Sequence, residues 1–143
     1  MPAITASRRK SVPARLADMA AQPPLKQVET IRKGISTKAF DEIAGALGIG
    51  KEVLALKLNI NAQTLRKRKS RMLSPDEAEK SLRVTRVFVT ASQTLGGEDE
   101  AREWMGAAVP ALGGKRPLDL LDTDVGAQEV MNLLNCIKWG IYA

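Results

Sequence analysis

Histidine is absent from this 143-residue chain, and cysteine occurs once, at Cys136. Without an imidazole, a Ser-His or Cys-His pair has no base and the usual tetrahedral zinc sites have no ligand set. The acids fall mostly at helix starts, where capping accounts for them. An enzyme is therefore not expected, and neither is a metal or a cofactor. A lone thiol excludes an intrachain disulfide and fits a reducing compartment. Cys136 itself reads as a packed or incidental residue rather than a redox switch. Aromatics are scarce, with two Trp, two Phe and one Tyr. No run approaches the roughly 20 apolar residues that span a bilayer, and the start lacks the apolar stretch of a secretory signal. Arg8-Arg9-Lys10 faintly resembles a transit peptide and is read instead as part of a basic arm. A cytoplasmic protein without a membrane partner is expected.

Charge is present but unevenly spread. The net +6 divides into +5 over residues 1–36, +5 over 37–73, zero over 74–96 and −4 over 97–143. A basic half and an acidic half should meet different partners.

Residues 1–35 contain Pro2, Pro13, Pro23 and Pro24 among small residues and scattered cations. They are read as a basic, flexible arm in which Val12–Met19 or Leu25–Ile31 could form a short helix. From Thr37 the pattern changes. Phe40, Ile43, Ala44 and Leu47 share one helical stripe ended by Gly48, and a second short helix over about 51–57 offers Val53, Leu54 and Leu58 to a core. Asn61 is placed to cap a third helix running from Ala62 to Arg71. Three short helices with a tight second connection predict a helix-turn-helix over 36–73.

Ser74-Pro75-Asp76-Glu77 combines a Ser cap, a Pro at the first helical position and a Glu able to bond back to the cap. A connecting helix should follow over 74–96, its apolar surface broad enough to touch both flanking units. Gly96-Gly97 stops it. The remainder, 97–143, forms a small helical domain: Trp104 lies on an apolar stripe, Pro117 opens a single turn with Leu118, Leu120 and Leu121, and Thr123 caps a last helix. No stretch alternates like a half-buried strand, so the class is all-α.

Two candidate surfaces emerge. The first is the third helix, where Arg66, Lys67, Arg68, Lys69 and Arg71 cover much of the circumference and would neutralise phosphates with counterion release. Gln63 and Thr64, near its start, stand where a recognition helix presents side chains to base edges. A Lys/Arg run is often only a solvated face, but the capped turn and basic arm beside it favour DNA. The second surface is the C-terminal stretch, where Asn132, Asn135 and Lys138 share a polar face and Trp139 and Tyr142 flank Gly140. Trp104, Leu118, Leu120 and Leu121 are read as core.

The order Trp104, Gly113-Gly114, Pro117-Leu118-x-Leu120-Leu121, Thr123-x-x-Gly126 and Gly140-Ile141-Tyr142-Ala143 resembles the toxin-binding domain of the Xre/MbcA/ParS antitoxin family. Thr64-Leu65-x-x-Arg68 followed by Leu73-Ser74-x-x-Glu77 resembles the end of that family's Xre-like helix-turn-helix, so the likeness runs from about residue 37 onward. Two positions depart from it: Arg71-Met72 stands where the family often has Gly, and Ala78 where it has Ser. The resemblance implies an antitoxin whose cognate partner is a RES-type toxin with NAD-dependent chemistry. In it Gly140, Ile141, Tyr142 and Ala143 would plug the NAD-binding cleft with Trp139 at their base. It also implies a helix-turn-helix that binds operator DNA, forms a homodimer, or does both. The alternative is a free-standing repressor whose C-terminal domain dimerises or senses a ligand.

Overall fold

Ser74 Oγ accepts the Glu77 N–H at 3.2 Å, and the Glu77 carboxylate accepts the Ser74 N–H at 2.7 Å. With Pro75 in the first helical position, this reciprocal cap starts the longest helix of the chain, Pro75–Leu95. The computed structural model describes residues 11–140. Among them are eight α-helices: α1 (Ala14–Ala21), α2 (Pro24–Lys33), α3 (Thr37–Leu47), α4 (Lys51–Lys57), α5 (Ala62–Lys67), α6 (Pro75–Leu95), α7 (Glu98–Met105) and α8 (Asp124–Lys138). Single 3-10 turns occur at Pro110–Leu112 and Pro117–Leu120. The chain is all-α, with a helix-turn-helix unit preceding α6 and a smaller helical unit following it.

α6 is the spine. α1, α2 and α3 of the first unit pack on it, and so do α7 and α8 of the second. Ala78, Leu82, Val84, Val87, Phe88 and Ala91 are all at most 2% exposed, which spreads burial around much of its circumference. One continuous core results, joining Phe40, Leu54 and Leu58 of the first unit to Met105, Leu121, Val130 and Leu134 of the second. Each fully buried Leu, Val or Phe contributes about 1.5–3 kcal/mol relative to exposure.

The expected arm over 1–35 is corrected where the structure describes it. Pro13 stands at the N-cap of α1, and Pro24 fills the first position of α2. These prolines start helices rather than break them. Leu16 is fully buried and Ala20 nearly so, while Arg15 pairs with Glu42 of α3. The stripe is only a few residues wide, and it is enough because α6 supplies a groove for it. Residues 1–10, including Arg8-Arg9-Lys10, lie outside the described residues.

Two backbone bonds close the ends of the 36–73 segment on one another: Thr37 N–H donates to Arg71 C=O and Leu73 N–H to Ile35 C=O, both at 2.8 Å. α3 ends on Gly48 at φ +73, as its position predicts. Two expectations here are corrected. Val53 is 46% exposed, because Leu54 and Ala55 already fill the inward face of the short α4. The third helix ends at Lys67 instead of continuing to Arg71, since Arg68 turns to extended backbone (ψ 116).

Candidate functional site

Asn61 Oδ1 accepts the Thr64 N–H at 2.9 Å and so fixes the start of α5. Gln63, Thr64, Arg66, Lys67, Lys69 and Arg71 are exposed, and of these Lys69 and Arg71 lie beyond the helix. Arg68 behaves differently from its neighbours. Its guanidinium grips Glu77, with Nη1 on Oε1 and Nη2 on Oε2 at 3.1 Å, and Nη1 also donates to Met72 C=O at 3.0 Å. Folding back this way is what bends the chain out of α5. Arg68 is therefore a clamp between the helix-turn-helix and α6, unlike the exposed cations on either side of it.

Burial opposes ionisation of Glu77, but the bonds from Arg68 and from Ser74 N–H outweigh it and hold the carboxyl below its ordinary range. The same bond raises Arg68 above its ordinary value. A depressed native pKa means that the unfolded chain binds the proton first, so this stabilisation is complete above the ordinary carboxylate range. It is lost as pH falls through the native value. Glu77→Gln should cost about 2 kcal/mol at pH 7. It should also flatten the fall in stability between about pH 5 and pH 3, which urea midpoints recorded across that window would measure; parallel curves for the two proteins would refute the clamp.

The second surface is built from the turn that enters α8. Pro117 is buried, Leu118 is 6% exposed and Leu121 is fully buried, so the 3-10 turn is nailed to the core. Arg83 of α6 donates to Leu121 C=O at 2.9 Å and to Glu79 at 2.6 Å. Thr123 Oγ1 then accepts the Gly126 N–H at 2.9 Å. At Gly126 a Cβ would stand 2.0 Å from Leu120 C=O, which explains the glycine three residues after the cap. Trp104 is half-buried against the same core.

α8 buries Ala127, Val130 and Leu134 and turns the opposite face outward. Along that face run Val125, Gln128, Asn132, Asn135 and Trp139, all exposed, with Val125 and Trp139 at 75% and 71%. Gln128 bonds Asn132 at 3.0 Å, and Lys138 Nζ lies 5.6 Å from the centre of the Trp139 ring. The structure thus unites Asn132, Asn135 and Trp139 on one stripe, with Lys138 beside it. Val125 and Gln128 belong to the same stripe and were missed, although their spacing of seven and four residues from Asn132 was readable. Gly140 is exposed, at φ +69. Ile141, Tyr142 and Ala143 lie outside the described residues.

Comparison with known proteins matches both units of the chain. Residues 26–86 fit the profile of the antitoxin Xre-like helix-turn-helix domain, and residues 90–140 that of the antitoxin Xre/MbcA/ParS C-terminal toxin-binding domain. An antitoxin Xre of Yersinia enterocolitica is 29% identical over 81% of this chain and 80% of its own length. A Prs ADP-ribosylating antitoxin of a Sphingobium strain is 30% identical over 84% of this chain and 82% of its own. An antitoxin Xre of Photorhabdus laumondii is also 30% identical, over 78% and 77%. No helix among the described residues is long and apolar enough to cross a membrane.

Proposed function

The chain belongs to the Xre/MbcA/ParS antitoxin family, and from that premise we propose that it neutralises a RES-type toxin by covering its NAD-binding cleft. The observation that carries this reading is the outward stripe of α8, a row of amides bounded by two exposed apolar side chains. Large aromatics rimmed by polar groups are the usual anchors of protein interfaces, and Trp139 ends the stripe beside Gly140. Residues 140–143 would continue from it into the cleft, with Asn132, Asn135 and Lys138 bonding its rim. Occlusion of this kind needs no nucleophile or metal on the antitoxin; the catalytic groups belong to the toxin. A relative named as a Prs ADP-ribosylating antitoxin supports a partner whose chemistry consumes or transfers from NAD.

The basic unit has a second role in the same reading. As a homodimer it would bind the operator of its own operon, with Gln63 and Thr64 toward base edges and Arg66, Lys67, Lys69 and Arg71 toward phosphates. Two copies are needed because a six-residue helix reads few base pairs, and two half-sites multiply discrimination. The test is capture of partners from the native host by the tagged chain. Recovery of a RES-type protein at fixed stoichiometry is the expected result. Recovery of DNA and self alone would replace this reading with that of a free-standing repressor.

A further inference from the structure

Lys38, Lys51 and Arg71 are far apart in sequence, and the fold sets them around one cleft of about 550 Å³ between α3, α4 and α5. Phe40 and Leu65 help to form its lining. Arg66 and Arg68 also line it, but both are engaged: Arg66 lies 3.7 Å from Glu52, and Arg68 holds Glu77. Asp41 and Glu52 are the acids of the lining, so cations exceed them by five to two. Lys38, Lys51 and Arg71 have no ion pair among the described residues. No acid stands in the first turn of α3, where Lys38 sits, and the positive end of that helix adds to the excess.

Arg71 is the informative member. It adopts φ +56, a left-handed conformation that a residue with a Cβ enters at a cost and glycine enters freely. Its carbonyl is locked there by the Thr37 N–H at 2.8 Å. An arginine kept where glycine would be more stable offers a guanidinium to the cleft mouth in return for that strain.

We infer that this cleft grips the phosphates of the DNA backbone through Lys38, Lys51 and Arg71, leaving the exposed side of α5 to face the bases. The inference rests on the DNA-binding reading above and adds contacts from outside the recognition helix. A polyanion fits better than a small anion. The three free cations come from three places in the chain around the cleft, and the exposed Lys67 and Lys69 flank Arg68 of its lining in sequence, which spreads positive charge along the chain instead of enclosing a single small ion.

The test uses the full chain and two duplexes of about 30 base pairs, one from the chain's own promoter and one scrambled, in titrations over a range of salt concentrations. Each of Lys38→Ala, Lys51→Ala and Arg71→Gly should lower the slope of log K against log salt by about 0.9 and weaken binding roughly eightfold at 0.1 M salt. The loss should be equal on both duplexes, whereas Gln63→Ala should weaken only the promoter duplex. Arg71→Gly should do this while its melting temperature holds or rises by about 2 °C, separating a lost contact from a damaged fold. Unchanged slopes in all three variants, with the wild-type chain still binding, would overturn the cleft and leave DNA binding elsewhere on the unit. A wild-type chain that binds neither duplex would overturn both. If inorganic phosphate at millimolar concentration shifts the amide signals of these residues while the variants bind DNA normally, the cleft is a small-anion site and the inference also fails.

Discussion

A chain shortened by residues 140–143 should fold normally, hold DNA as before and fail to protect cells from its toxin. The expectation follows from where α8 delivers the backbone. Ala127, Val130 and Leu134 pin that helix to the core, so the chain reaches Trp139 and Gly140 from a fixed point. Under the proposed mechanism, removing residues 140–143 should subtract contacts to the toxin alone. Trp139→Ala tests the base of the same element. The ring is 71% exposed, and truncating a central interface tryptophan costs about 2 kcal/mol or more, or at least about 30-fold in Kd. Titration calorimetry against the purified toxin, beside a growth-rescue assay, measures both. Protection retained by the shortened chain would remove the plug from the mechanism and leave the stripe from Val125 to Trp139 as the whole interface.

Gly126→Ala should be the most damaging single methyl in the second unit. The new carbon would stand 2.0 Å from Leu120 C=O and 2.9 Å from Thr123 Oγ1. The obstruction is backbone that cannot swing away, and Leu121 C=O beside it is held by Arg83. The start of α8 has to move, giving up its Thr123 cap and loosening Leu121 and Val130. A loss of about 3 kcal/mol is expected, which is a fall of about 10 °C in Tm for a chain of this size. Toxin affinity should drop with it because the stripe tilts. Gly106→Ala is the control, since its methyl meets only ordinary contact at 3.6 Å. A Tm for Gly126→Ala within about 2 °C of the control would show that the turn has enough slack to admit the methyl.

What could be read in advance depended on how far apart the cooperating residues lie. The start of α6 was plain because Ser74, Pro75 and Glu77 act within four positions. So were the end of α3 at Gly48 and the cap of α5 at Asn61. The motif from Trp104 to Gly126 was legible as a resemblance, but the reason for its glycine was not: Leu120 approaches Gly126 only once the 3-10 turn has been buried. α1 was anticipated only as an optional short helix in a flexible arm, because Leu16 is buried against elements such as α6, about sixty residues away, and no local pattern advertises that packing. The end of α5 was misplaced for a similar cause. Arg68 carries a helix-compatible side chain, and it is Glu77, nine residues on, that draws it out of the helix. On the second surface Asn132, Asn135 and Trp139 were chosen by spacing, and the same spacing extended two turns back would have found Val125 and Gln128.

No flexible joint separates the two units. α6 runs through both, Arg102 of α7 donates to Ala46 C=O at the end of α3, and Lys57 of α4 pairs with Asp119 in the turn before α8. In an α-helix each residue adds about 1.5 Å of length and about 100° of rotation. The angle between the basic face and the α8 stripe is therefore counted out in residues of α6, much as teeth set the timing of a geared shaft. One residue inserted midway would swing the stripe about a quarter turn around the molecule and break both cross-links, whereas seven would bring it back nearly into phase. Length changes elsewhere in the chain can be absorbed by loops such as 106–116; in α6 they would have to come in steps of about two turns.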